Sequence, residues 1–263
     1  MSNYQTLKIE REGHVARLAF NRPDKLNTFN TQLRQEFVLA SRELNADDDV
    51  WVVLLSGEGR AFGAGADLSE NNGGMGGGQA VEDQLNYEYK PGVLAIRHAR
   101  KPWIAAVHGA CAGISYSYAM ACDLVVMAEG SYLYQPFGAI GLVPDGGATW
   151  LLPNLVGSKR AFELMAFGEK LPAEKAVDWG LANRVLPAEG FAESAMAFAQ
   201  TLAGKAPLAM RYTKEAIAFA ESHTLAESIS EEAALQSLCI DSEDAKNAVL
   251  AFLEKRAPAW QGR

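Results

Sequence analysis

From Trp103 to Cys122 the chain carries no Asp, Glu, Lys or Arg, and such a stretch must be hidden from water along its whole length. That length approaches the ~20 residues of a membrane-spanning helix. Against a span stand Gly109 and Gly113, His108 and several hydroxyls, with Lys101-Pro102 just ahead of it. A buried strand, a tight turn and a buried helix account for the stretch better. Trp51 to Leu55 is a second continuous apolar run, the mark of a strand covered on both faces. Together they point to an α/β core.

The remaining patterns fit around that core. Thr6 to Glu10 and His14 to Phe20 alternate on either side of Glu12-Gly13, which reads as an opening hairpin. Asn30 to Leu44 has helical periodicity. Asn71 to Gly78 is glycine-rich and reads as a flexible flap, with Gly73 to Gly78 expected to be poorly ordered without ligand. A helix from Ala80 to about Arg100, a strand at Trp103 to Val107, a helix at Gly113 to Ala121 and a strand at Asp123 to Ala128 are expected next, so strand, strand, helix recurs. After Ser158 the pattern is helical, over 158–167, 173–179, 191–203, 207–221, 224–239 and 243–257, with no strands expected. The division is therefore a core over residues 1–203 and a helical region over 204–263. Apolar residues such as Leu225, Ile229, Leu235 and Leu238 in that region need a cover, supplied by the core or by another subunit.

Composition narrows the function. A chain of 263 residues, 49% hydrophobic, can bury a full core, and a net charge of -8 offers no electrostatic footprint for nucleic acid or an anionic membrane. An anionic ligand must be met by local lysines and backbone amides. Cys111, Cys122 and Cys239 match no zinc or disulfide spacing, and Met1 to Arg17 is polar, so a cytoplasmic location is expected. His14, His98 and His108 sit singly, and no cluster has metal spacing, so no metal is expected.

Two turns carry the chemistry. Arg60 to Leu68 and His108 to Ile114 each place glycines between a strand and a helix start, where unpaired N–H groups face an oxygen anion. Asp67 with Glu70 has capping-box spacing, which puts a helix start there and the Ala66 N–H at its mouth. One amide from each turn would make an oxyanion hole. Phe62 stands where a dinucleotide fingerprint needs its third glycine. Gly109 to Gly113 has the form of a nucleophile elbow around Cys111, but the sole downstream base is His223. In Gly138 to Pro153, Asp145 lies between apolar residues and a glycine pair. It is either the cap of a helix running through Trp150 or a proton carrier held against apolar walls.

Asn21 to Asn27, Phe62 to Asp67, Lys101 to Gly109, Cys122-Asp123, Gly141 to Pro144 and Phe252 to Arg256 together resemble the crotonase superfamily, the enoyl-CoA hydratases and isomerases, along essentially the whole chain. The resemblance implies a spiral of ββα units around a double layer of sheet, a C-terminal trimerisation region giving a trimer or hexamer, and an acyl-CoA substrate with no separate cofactor. It implies a thioester oxygen held by the amides of Ala66 and Ile114, the latter in place of the usual glycine, with its side chain directed away from the thioester. Coenzyme A contacts carry over onto Lys25, Ala64, Asp67, Leu68 and Lys255, with Lys101 a further lysine in reach of phosphates. The two glutamates of the hydratases fall on Ser117 and Phe137, which argues against efficient hydration. Leu142 to Pro153 and the ending Phe252 to Gly262 instead resemble the branch acting on the phenylacetate-pathway ring epoxide, where the acid matching Asp145 is the base. One carboxylate suffices to move a proton from C2 to C4. Phe137, Ile140 and Leu142 are expected to raise its pKa, and no polar group is required at 117. The alternatives are a hydratase using Asp145 with a water, a non-catalytic acyl-CoA-binding subunit, and a Cys111 hydrolase.

Overall fold

The computed structural model describes residues 4–70 and 77–263. The expected flap falls mainly on residues 71–76 and lies outside the described residues; Gly77 and Gly78 already open a helix. Strands β1 (Leu7–Glu12) and β2 (Val15–Phe20) form the opening hairpin, turning at Gly13, whose φ of 57° is left-handed. Helix α1 (Thr31–Ala46) follows, capped by Asn30 Oδ1 on the Leu33 N–H at 3.0 Å. Next come β3 (Val52–Gly57), α2 (Gly78–Gln84), α3 (Lys90–Arg97), β4 (Trp103–Val107), β5 (Ala110–Ala112) and α4 (Ile114–Ala121). They lead into β6 (Leu124–Ala128), β7 (Tyr132–Tyr134), α5 (Ala148–Val156), α6 (Ser158–Phe167), β8 (Leu171–Pro172), α7 (Ala173–Asp178) and β9 (Arg184–Leu186). Helices α8 (Phe191–Ala203), α9 (Pro207–Ala220), α10 (Leu225–Ile240) and α11 (Glu243–Leu253) complete the chain.

The strands sort into two layers. The larger sheet has the order β1-β2-β3-β4-β6-β9 and the smaller β5-β7-β8. Each pass of the chain sends one strand to each layer, β4 then β5, β6 then β7, which is the spiral that the resemblance implies. From β2 onward the larger sheet is parallel. Its apolar runs read as continuous because alternate residues feed different cores. Val53, Leu55, Trp103, Ala105 and Val107 join the main core, whereas Val52, Leu54, Ile104 and Ala106 meet Phe191, Ala195, Ala199 and Ala203 on one face of α8. Every residue of β4 and α4 is buried, so protein hides the uncharged stretch apart from the turn at His108 to Ala110, which is half-buried. Among the described residues no helix is long and apolar enough to cross a membrane.

Three expectations need correction. The region after Ser158 does contribute strands, β8 and β9, too short for alternation to show. The helix expected from Ala80 to Arg100 is α2 and α3 joined by a π-turn over Leu85–Tyr89, in which the Lys90 N–H reaches back to the Leu85 carbonyl. Pro91 explains the widening, because it has no N–H for the regular ladder. At Asp67 there is no α-helix start: its carboxylate accepts from the Ser69 N–H at 3.1 Å, and Glu70 accepts from the Thr31 N–H instead of reaching back. The tail docks through Lys214 on α9, which donates to the carbonyls of Ile96 and Lys101 and to Asp123 at 2.8 Å.

Candidate active site

A cavity of about 530 Å³ lies where the two glycine turns meet. The turns are stitched together by backbone bonds: Phe62 N–H to His108 O at 2.8 Å, Gly63 N–H to Ala110 O at 3.1 Å and Ala112 N–H to Gly63 O at 2.9 Å. Gly113, at φ 55° and ψ -128°, lies so close to the other turn that a Cβ on it would stand 3.3 Å from Gly65 Cα. Only glycine permits both the dihedral and the approach. The Gly65 N–H donates to buried Ser115 Oγ at 3.1 Å, and the Gly65 carbonyl accepts from the Phe29 N–H at 2.8 Å.

Bonds of this kind also take up the Gly65 and Asp67 amides that flank Ala66 and the Gly113 amide that precedes Ile114. Asp67 N–H goes to Phe29 O, Gly113 N–H to Tyr134 O and Tyr116 N–H to Gly113 O. The Ala66 and Ile114 amides take no part in closing the turns, and Ile114, as first residue of α4, has no helical carbonyl to reach. Both residues line the cavity. The Ile114 side chain is buried, its Cδ1 2.3 Å from where a Cβ on Gly146 would stand.

Asp145 lines the same cavity with Phe137, Ile140 and Leu142. Its side chain does not cap α5, whose N-cap is Gly147 with no side-chain bond; only the Asp145 carbonyl accepts there, from the Ala148 N–H at 3.1 Å. Carboxylate Oδ1 is shielded from solvent and has no hydrogen-bond partner. Burial is the cause that raises the carboxyl from 3.8 to about 6. Of the two readings of this acid, the cap is excluded by the geometry.

The other carboxylates lining the cavity are engaged. Asp67 pairs with Arg22 at 2.8 Å and accepts from Ser69, and although burial works against it, these contacts hold its pKa down to about 2. Glu70 and Glu88 pair with buried Arg34, and Asp83 accepts from Gln79 at 3.0 Å. Of the residues expected at the site, Ala64, Ala66, Asp67, Leu68, Ile114 and Asp145 come together here. Lys25 does not; it is exposed on the loop whose Leu26 carbonyl accepts from the Ala64 N–H. Lys255 is exposed on the turn after α11, outside the lining. Lys101 is buried against the carbonyls of Leu44 and Asp47, at 2.8 and 2.6 Å, and desolvation lowers it to about 8, so it is not free for phosphate.

Ser117 is no bystander. Its hydroxyl donates to the Asp145 carbonyl at 2.8 Å. The elbow reading of Cys111 fails on burial: the thiol is fully enclosed and pushed well above its ordinary pKa, while His223 is exposed and stacked on Phe219 with ring centres 3.6 Å apart. Sequence reasoning missed Arg34 and Tyr89. Arg34 falls on the buried face of α1 between Leu33 and Phe37, and a charge on an apolar stripe was a usable signal. Tyr89 owes its place to the π-turn, for which Pro91 was the signal; its hydroxyl is buried without a hydrogen-bond partner.

Comparison with known proteins agrees with this geometry. The enoyl-CoA hydratase/isomerase family model matches residues 10–263. The chain is 35% identical over 254 residues to 1,2-epoxyphenylacetyl-CoA isomerase of Escherichia coli strain K12, covering 96% of this chain and 97% of that one. It is 36% identical over 261 residues to a probable enoyl-CoA hydratase of Rhodobacter capsulatus, covering 99% and 100%. Among solved structures, an enoyl-CoA hydratase from Bacillus anthracis superposes with a TM-score of 0.94 at 29% identity, covering 98% of this chain and 100% of the other. The chain has the crotonase fold and belongs to the enoyl-CoA hydratase/isomerase family.

Proposed function

We propose that the protein is a coenzyme A thioester isomerase in which Asp145 is the single acid–base group. It removes a proton from C2 and returns it at C4, or opens the way to ring-epoxide isomerisation, while the Ala66 and Ile114 amides hold the enolate oxygen. The observation that carries the reading is the state of Asp145: alone among the described carboxylates of the cavity, it has an oxygen shielded from water and free of any protein donor. A carboxylate raised to about 6 is ionised at neutral pH, yet basic enough to take a carbon-bound proton from an activated thioester. Hydration would need a second acid–base group, and Ser117 and Phe137 supply none. A non-catalytic acyl-CoA-binding role would suit an acid turned out to solvent, which Asp145 is not. Lys25 and Lys255 are the proposed phosphate contacts, Lys255 from a neighbouring subunit. A cytoplasmic location is proposed, and the free thiols of Cys111, Cys122 and Cys239 support it.

One assay series tests this. A 3-enoyl-CoA, a ring-epoxide CoA ester and crotonyl-CoA with water are offered in parallel. Isomerisation of one of the first two is expected to exceed crotonyl-CoA hydration by at least ~10²-fold, the value of a missing acid–base partner. Hydration as fast as isomerisation would make the protein a hydratase.

A trimer or a dimer of trimers is proposed as the working form. Leu225, Ile229, Leu238, Phe252 and Leu253 on α10 and at the end of α11 are each more than half exposed in the single chain, and packing against a second chain would remove them from water. Sedimentation is expected to give three or six times the 28.4 kDa of one chain. A monomer mass at micromolar concentration would contradict it.

A further inference from the structure

Ser117 is fully buried on α4, and its hydroxyl donates to the backbone of the very residue that bears the acid. Among the described residues, this is the one hydrogen bond that ties Val143 to Gly147 to another element; the rest are local bonds such as Ala148 N–H to Asp145 O. Packing repeats the message. Gly146, at φ +62°, lies against α4 so closely that a Cβ on it would stand 2.8 Å from Ser117 Cβ and 2.3 Å from Ile114 Cδ1. The Asp145 loop therefore rests directly on the side chains at 114 and 117. A long side chain at 117 would occupy the space that the loop fills.

Resting on the reading of Asp145 as the acid–base group, we propose that Ser117 is a positioning residue. Its hydroxyl clamps the Asp145 carbonyl, and its small size lets Gly146 seat on α4, so that the carboxylate is held among Phe137, Ile140 and Leu142. The serine is then a requirement of this loop rather than simply the loss of a hydratase glutamate. Without the clamp the loop can lift and admit water to the carboxylate. The acid would become more hydrated and less basic.

The other titratable groups around the loop do not confuse that readout. Burial pushes the phenols of Tyr89 and Tyr118 up, away from the acid range. Arg34 with Glu70 and Glu88, Asp67 with Arg22, and Asp83 with Gln79 hold partners of their own. Helix α5 carries no ionisable side chain.

The test measures kcat, KM and the pH profile of the full-length protein on its best isomerase substrate, for wild type, Ser117→Ala, Ser117→Cys and Asp145→Asn. Ser117→Ala is expected to lower kcat by ~10-fold or more with KM within ~3-fold, since a misplaced group of this kind can cost up to 10²-fold. The midpoint of its acid limb should fall from about 6 toward the ordinary Asp value near ~4. Ser117→Cys keeps a weak donor and should lie between the two. It carries the same measurement should the alanine variant fail to fold. An unchanged kcat and acid limb in the Ser117 variants, beside an inactive Asp145→Asn, would overturn the positioning role alone. Full activity in Asp145→Asn would instead overturn the reading beneath it.

Discussion

Asp145→Asn is expected to keep the fold and coenzyme A affinity while isomerase turnover falls by at least ~10²-fold, because a positioned acid–base group commonly contributes 10²- to 10⁴-fold. The amide nearly matches the carboxylate in volume, and Oδ1 has no hydrogen-bond partner to lose. In the wild type, turnover should rise with pH through about 6 as the base ionises. The same burial makes a prediction about stability with the opposite sense. A carboxyl whose folded pKa lies above its unfolded one favours folding when protonated, so its contribution is fully present below pH ~4 and is lost as pH rises through about 6. Removing the charge should therefore stabilise the protein above pH 6, by up to ~3 kcal/mol for a shift of about two units. Thermal unfolding at pH 3 and pH 8 checks the sign: the variant should match the wild type at the lower pH and gain on it at the higher. A variant of full activity and unchanged stability at both would leave Asp145 without a role.

Gain of stability with loss of turnover is what separates a group kept for chemistry from one kept for structure. Asp67 shows the contrast within the same cavity. Arg22 and Ser69 hold its carboxyl down to about 2, and its charge is consumed in fastening the first turn to the Arg22 loop. Both acids lie within two residues of a glycine. The difference lies in which long-range partner the fold delivers.

That contrast shows what was legible in the sequence. Features set by local steric or solvation rules were readable: β3 and β4 from unbroken apolar runs, the hairpin at Gly13, and the glycine turns that bring Ala66 and Ile114 to one cavity. Resemblance supplied the spiral and the weight on Asp145. What could not be read depends on contacts between distant segments. The capping box at Asp67 failed because Glu70 found Thr31 and Arg34 instead of its own helix end. Ser117 read as dispensable because its partner, a backbone carbonyl twenty-eight positions away, carries no side-chain signature. Strands β8 and β9 exist only because β7 and β6 offer them an edge.

Ile114→Pro should be nearly as damaging as loss of the base, with turnover down by ~10²- to 10³-fold, the usual loss when one oxyanion-hole donor is removed. Proline deletes the N–H while keeping the backbone conformation, at the cost of the outer part of the Ile114 side chain. It is favoured at the first residue of a helix, where the amide has no helical partner, and Gly113 before it carries no side chain to clash with the ring. The Ile114 side chain is buried beside Gly146, so some of any effect could come from lost packing. Ile114→Val controls for this. It keeps the amide, removes the terminal methyl, and should cost ~0.5–1.5 kcal/mol of stability with turnover within ~3-fold of wild type. The developing negative charge on the thioester oxygen is greatest in the enolate, so the missing donor should lower kcat far more than it raises KM. Proline and valine variants of equal turnover would mean that the Ile114 amide never meets the oxygen, and the second donor would have to be sought elsewhere in the cavity wall.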